Sequence, residues 1–142
     1  MGTDARPRRS YIGGMPIMDL IMQARQARTF AYCPYSNYAV GAALLADDGT
    51  VYLGCNVENA AYGVCLCAER NALGTAVAAG RRRFSAIAIA GEGDMPYPCG
   101  ACRQALFEFG KDLTVLIANG HQVEETTLAA LLPHGFSMHE GS

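Results

Sequence analysis

Hydrophobic positions recur along this chain with two different periods, and the switches between them mark its elements. Residues 17–31 place Ile17, Leu20, Ile21, Ala24, Ala27 and Ala31 at three- and four-residue intervals among Gln, Arg and Asp, the stripe of an amphipathic helix. Pro34 is its expected stop. The stretch "YAVGAALLADDGTVYLGCN" (38–56) has two apolar runs on either side of Asp47–Asp48–Gly49, a turn in which glycine takes positive φ without steric penalty, and it reads as a hairpin. "NVENAAYG" (56–63) is a polar loop. A second helix is expected over about 67–79, ending near Gly80, and "FSAIAIAGE" (84–92) has the short apolar run of a buried strand. After the loop "GDMPYP" (93–98), a third helix runs over about 100–109 to Gly110, and "LTVLIAN" (113–119) is another buried strand. "TTLAALLP" (126–133) suggests a short helix capped by Thr126 or Thr127. Helices alternating with buried strands indicate an α/β sandwich built on a mixed sheet.

Composition narrows the class. At 142 residues, 51% hydrophobic and 17% charged, the chain has the balance of one soluble globular domain. No run of 18 apolar residues occurs, so no membrane span is expected. The formal net charge is −2; Arg6, Arg8 and Arg9 stand against Asp4 near the start, which leaves about −4 from residue 16 onward. An acidic body argues against a nucleic-acid groove, and Arg81–Arg82–Arg83 reads as a solvated helix end. Residues 1–15 read as a flexible tail and as a non-native leader ending near Met15 or Met18, with a single domain over 16–142. Arg8–Arg9 does not make a twin-arginine export signal, because Pro16 and Asp19 interrupt the apolar stretch such a signal needs. A cytoplasmic location is therefore expected.

Six cysteines, with a CxE and a CxxC among them and no signal peptide, favour metal binding over disulfides. Cys67, Cys99 and Cys102 are the ligand candidates, since a CxxC entering a helix can point both sulfurs at one ion, and zinc favours soft ligands. Three protein ligands would leave a fourth position for water, whereas a structural site would close with a fourth ligand. Cys65, Cys55, Cys33, His121, His134 and His139 are available for that, although Cys65 would tend to point away and the histidines read as surface residues. Three thiolates with Zn²⁺ carry −1. Two helix N-termini, each worth roughly +0.5 charge, and Arg70, three residues after Cys67 on the same helical face, would offset it. Arg70 also reads as a plain exposed helix arginine. Glu69 could extend beside the metal as a proton shuttle, or simply be an N-terminal helix glutamate favoured by the dipole.

Taken together, Cys67-Ala68-Glu69 and Pro98-Cys99-Gly100-Ala101-Cys102 resemble the zinc nucleoside and nucleobase deaminases. "YCPYSNYAVGAALL" (32–45), "GCNVENAAYG" (54–63), "CAERNA" (67–72), "PCGACRQ" (98–104) and "LLPHGF" (131–136) are similar, in order, to signatures of the small homotetrameric three-cysteine cytidine deaminases. The resemblance implies a three-layer α/β/α sandwich around a mixed sheet of about five strands, with one zinc per chain on Cys67, Cys99 and Cys102. It further implies hydrolytic deamination of cytidine and 2′-deoxycytidine in pyrimidine salvage, a zinc-activated water attacking C4 while Glu69 shuttles protons. Asn56 and Glu58 would hold ribose hydroxyls. Tyr38 stands where the family usually has Phe against the pyrimidine, so its hydroxyl needs a partner. Phe136 matches an aromatic that reaches a neighbouring subunit's base, or else it packs in the core. A homotetramer with shared sites follows from the same resemblance, with no nucleic acid and no membrane as partners. Other readings remain open: a deaminase of another amino-pyrimidine of the blasticidin-S type, a non-catalytic zinc module and, further off, a CxxC redox protein.

Overall fold

The computed structural model of the protein describes residue 7 and residues 9–139. Its core is a five-stranded mixed sheet built from β3 (Gly41–Ala46), β4 (Val51–Cys55), β5 (Phe84–Ala90), β6 (Thr114–Ala118) and β7 (Val123–Thr127), in the order β4-β3-β5-β6-β7. Only β5 and β6 run parallel; the other neighbours are antiparallel. The period-2 pattern of the strands sorts their side chains into two cores. Leu44, Ile87, Ile89, Val115 and Ile117 face α2 (Ala68–Ala78), α3 (Gly100–Phe107) and α4 (Leu128–Leu131). Leu45, Leu116 and the small Ala43, Ala86, Ala88 and Ala90 face α1 (Ile17–Arg28), which fills that side with Leu20 and Ile21. The result is the expected three-layer sandwich.

Two glycines set the distance of the helices from the sheet. At Gly41 a Cβ would stand 2.0 Å from the Ala24 carbonyl oxygen on α1, and at Gly54 it would stand 2.4 Å from the Ala72 nitrogen on α2. Both contacts are backbone against backbone and have no flexible side chain to yield.

Two expectations need correction, and one strand carried no expectation. Residues 9–15 are not a flexible tail: β1 (Tyr11–Ile12) and β2 (Met15–Pro16) pair across Gly13–Gly14, with φ of 57° and 80°. Ile12 is buried on the α1 side, and Arg9 reaches Thr114 Oγ1 and Glu125, each at 2.9 Å. Residues 1–6, Arg8 and residues 140–142 lie outside the described residues. The first large helix ends at Arg28, well before Pro34, because the amides of Thr29, Phe30 and Ala31 turn to carbonyls three residues back. The segment before α4 is the strand β7, an edge strand with Glu124 and Glu125 at its centre, whose charges hide it from a hydrophobic pattern. The α4 cap is Thr127, whose hydroxyl oxygen accepts from the Ala130 amide at 3.2 Å.

Gly54→Ala should lift α2 from β4 and lower stability by about 1–3 kcal/mol, the usual cost of overpacking. Chemical denaturation measures it, and an unchanged midpoint would show that α2 can shift without loss.

Candidate active site

Cys67 and Cys99 are the N-cap residues of α2 and α3, both in extended backbone, so each thiol sits at the positive end of a helix. The Cys99 sulfur also accepts from the Cys102 amide at 3.4 Å, one of the free N–H groups of the first turn of α3. α2 lies against Gly54 on β4, and α3 belongs to the crossover between the parallel strands β5 and β6. Because these two helices start beside each other, Cys67, Cys99 and Cys102 bring their sulfurs within 4.8 Å of one another. Cys67 and Cys99 are 3.8 Å apart.

That spacing fits zinc. Zn–S bonds of about 2.3 Å place tetrahedral sulfur ligands about 3.8 Å apart. Cys102 is buried, Cys67 half-buried and Cys99 exposed, so the cluster opens to one side. Among the described residues no fourth His, Cys or carboxylate joins it. The Cys65 sulfur turns instead to the Asn59 backbone, accepting from its amide at 3.3 Å. His139 pairs with Glu108 at 2.6 Å.

Charge decides how the thiols behave. Cys67 is lowered to about 5, chiefly by the hydrogen bond from the Cys102 thiol and with help from Arg70 and Cys99, while burial opposes the shift. Cys102 moves up, as the proton-bearing partner of that bond and through burial. The Arg70 guanidinium lies 3.5 Å from the Cys67 sulfur, so the thiolate has a cation beside it. Arg70 is therefore not the plain exposed arginine that helical spacing also allowed.

Glu69 is 4% exposed. Burial raises its carboxyl to about 7; the hydrogen bond with Cys102 opposes that, and the Cys67 charge adds to it. A carboxyl in that condition can both take and give a proton near neutrality. It stands beside the sulfur cluster, as a proton carrier for a bound water would need to.

The expected substrate residues lie on the adjoining loops. Asn56 follows β4 directly; its Oδ1 accepts from the Val40 amide at 2.9 Å and its Nδ2 donates to the Tyr38 carbonyl at 2.8 Å. Glu58 accepts from the Tyr35 and Ser36 amides at 2.9 and 3.1 Å and from the Ser36 hydroxyl. These bonds hold its carboxyl below the usual glutamate range, the Ser36 hydroxyl foremost. Each side chain keeps spare hydrogen-bonding capacity. Tyr38 is 39% exposed, and its hydroxyl donates to the Asp94 carbonyl at 3.3 Å, which supplies the partner that a phenylalanine there would not need. Phe136 is 68% exposed, which removes core packing as its role. Tyr97 directs its hydroxyl to Glu124 on β7.

Residues that support the site were less visible in the sequence. Gly54 carried a signal, a glycine inside a strand, which often marks a close backbone approach. Arg28, which donates to the Ala39 carbonyl at 2.9 Å behind Tyr38, carried none, because it reads as an ordinary helix arginine.

In Arg70→Ala the metal-free Cys67 thiol should titrate upward from about 5 toward its ordinary value of 9.0. Protons compete with metal for thiolate, so zinc release on acidification should begin at a higher pH than in the parent. A chromophoric chelator follows the release, and coincident profiles would show that Arg70 does not act on the thiolate.

Comparisons with known proteins agree with this geometry. Residues 17–118 match the family described as the cytidine and deoxycytidylate deaminase zinc-binding region. The cytidine deaminase of Sporosarcina psychrophila is 49% identical over 126 residues, covering 87% of this chain and 93% of its own. A blasticidin-S deaminase of Bacillus cereus is 28% identical over 128 residues, covering 82% of this chain and 89% of its own. Among solved structures, the cytidine deaminase from Burkholderia pseudomallei superposes with a TM-score of 0.83 at 52% identity, covering 86% of this chain and all of that one. Thiols at two helix starts, a buried carboxyl beside them and a match over most of the chain lead to one conclusion: this chain belongs to the zinc-binding cytidine and deoxycytidylate deaminase family.

Proposed function

We propose that the protein hydrolyses cytidine and 2′-deoxycytidine to uridine and 2′-deoxyuridine, releasing ammonia, in pyrimidine salvage. The observation that carries the reading is Glu69, a carboxyl buried next to three clustered thiols and raised to about 7. Cytidine deaminases at 49% and 52% identity over most of the chain support the choice of substrate. The more distant likeness to a blasticidin-S deaminase supports a different substrate less well.

Cys67, Cys99 and Cys102 would hold one zinc ion, which supplies a Lewis acid that makes a water nucleophilic near neutral pH. Glu69 takes the proton of the attacking water and passes it to N3 of the base, which makes C4 more electrophilic. It then takes the remaining proton from the hydroxyl now on C4 and gives it to the departing amine, which leaves as ammonia, so one carboxyl acts in turn as base and as acid. Its raised proton affinity suits both directions. Arg70 helps to keep Cys67 ionised and sets a positive charge beside its sulfur.

Glu58 and Asn56 bind the sugar hydroxyls with the lone pairs and N–H that their loop contacts leave over. The Tyr38 ring packs against the pyrimidine, while its hydroxyl stays bonded to the Asp94 carbonyl. Phe136 covers the base of a neighbouring copy within a homotetramer. Exposed Tyr62, Val64, Phe136 and Met138, at 90%, 65%, 68% and 87%, support an assembly that covers them. A cytoplasmic setting completes the reading; among the described residues no helix is long and apolar enough to cross a membrane.

Glu69→Gln should keep its zinc and lose about 10²–10⁴ of kcat. The readout is the fall in ultraviolet absorbance on cytidine, together with ammonia release and zinc per chain. Full turnover in the variant would remove the proton-carrier role. A flat trace from the zinc-loaded parent would reject cytidine, and a panel of amino-pyrimidine nucleosides would then identify the substrate.

A further inference from the structure

Two consecutive side chains of α3 fasten the metal-binding turn to the C-terminal segment. Arg103 follows Cys102 directly. Its Nε donates to the Pro98 carbonyl and its Nη1 to the Leu131 carbonyl, each at 2.7 Å. The first carbonyl immediately precedes Cys99. The second ends α4, where the last carbonyls have no partner within the helix. Gln104 continues the contact, its Nε2 donating to the Phe136 carbonyl at 3.0 Å.

Between these anchors the chain is confined as well. His134 takes a left-handed φ of 57°, and a Cβ at Gly135 would lie 2.9 Å from both Leu132 and Phe107. Residues 131–136 are therefore held at both ends and in the middle. The half-exposed His139–Glu108 contact lies past Ser137 and Met138. Yet the ring of Phe136 is 68% exposed. An aromatic side chain held by its main chain, with its ring left free, is presented to something outside its own fold.

We propose that Arg103 and Gln104 are positioning residues that set the Phe136 ring relative to the metal-binding turn, and that substrate affinity depends on this tie. The inference rests on reading Phe136 as a contact to the base held by a neighbouring copy. Of the two, Gln104 acts more directly, since its single bond fixes the peptide that carries the ring. Arg103 fixes the start of the segment and, through the Pro98 carbonyl, keeps it in register with Cys99.

Gln104→Glu preserves the length and volume of the side chain but offers no donor at neutral pH. KM for cytidine should rise about threefold to tenfold, the loss expected for one neutral hydrogen bond. The value of kcat should stay within about twofold, since the chemical step is untouched, and zinc per chain should not change. Arg103→Lys, able to reach one of its two carbonyls, should move KM the same way. Phe136→Ala should raise KM by itself, and in that background Gln104→Glu and Arg103→Lys should add nothing, the signature of residues acting through a third. A simple loss of stability would persist in the double variants. Additive effects on KM would overturn the tie, as would an unchanged KM in Gln104→Glu beside a raised one in Phe136→Ala. An unchanged KM in Phe136→Ala would remove the reading of Phe136 and the tie with it.

Discussion

Three sulfurs within 4.8 Å of one another repel as they ionise, and the site is organised around offsetting that repulsion. Cys67 stands at the start of one helix, Cys99 caps another, and Arg70 supplies a full positive charge 3.5 Å from Cys67. Backbone dipoles alone would be weaker, because their influence fades beyond the first turn. The helices must therefore begin at the cluster itself. That requirement reaches into the sheet: α2 can start there only because Gly54 lets its backbone lie against β4, and α3 because the parallel pair β5–β6 needs a helical crossover.

Cys67 and Glu69 stand two residues apart, and their proton affinities move in opposite directions. Cys67 loses proton affinity because hydrogen bonds from Cys102, Arg70 and Cys99 favour its anion more than burial disfavours it. Glu69 gains proton affinity because burial dominates, with the neighbouring thiolate adding to it. The thiol is biased toward its anion and the carboxyl toward its protonated form. The separation follows from burial: Cys67 is half-buried at the cluster, whereas Glu69, beside the same sulfurs, is 4% exposed.

Much of this was legible in the chain, for reasons that differ by residue. The strand β5 announces itself because Ala86–Ala90 is buried on both faces and apolar without a break, and the cysteine cluster because its spacing is rare by chance. The strand β7 is hidden because an edge strand can carry Glu124 and Glu125 at its centre. The hairpin at residues 11–16 was masked by the arginines that precede it, although Gly13–Gly14 is a recognised tight-turn pair. For Phe136 the chain allowed core or neighbour, and its exposure removes the first. Arg103 was beyond reach, since its two carbonyl partners lie 5 and 28 residues away and are joined by folding alone.

Asn56 and Glu58 are both spoken for before any sugar arrives. Asn56 stitches Tyr38 and Val40 to the end of β4, and Glu58 closes the turn at Tyr35 and Ser36. In the proposed reading these are also the groups that meet the sugar, so their rotamers are chosen during folding and not at the moment of encounter. Freezing a side chain on binding costs roughly 0.5–1.5 kcal/mol, and here that ordering has already taken place. The same stiffness has a second effect: a sugar whose hydroxyls are misplaced cannot recruit these two residues by moving them, because each would have to abandon the loop it holds.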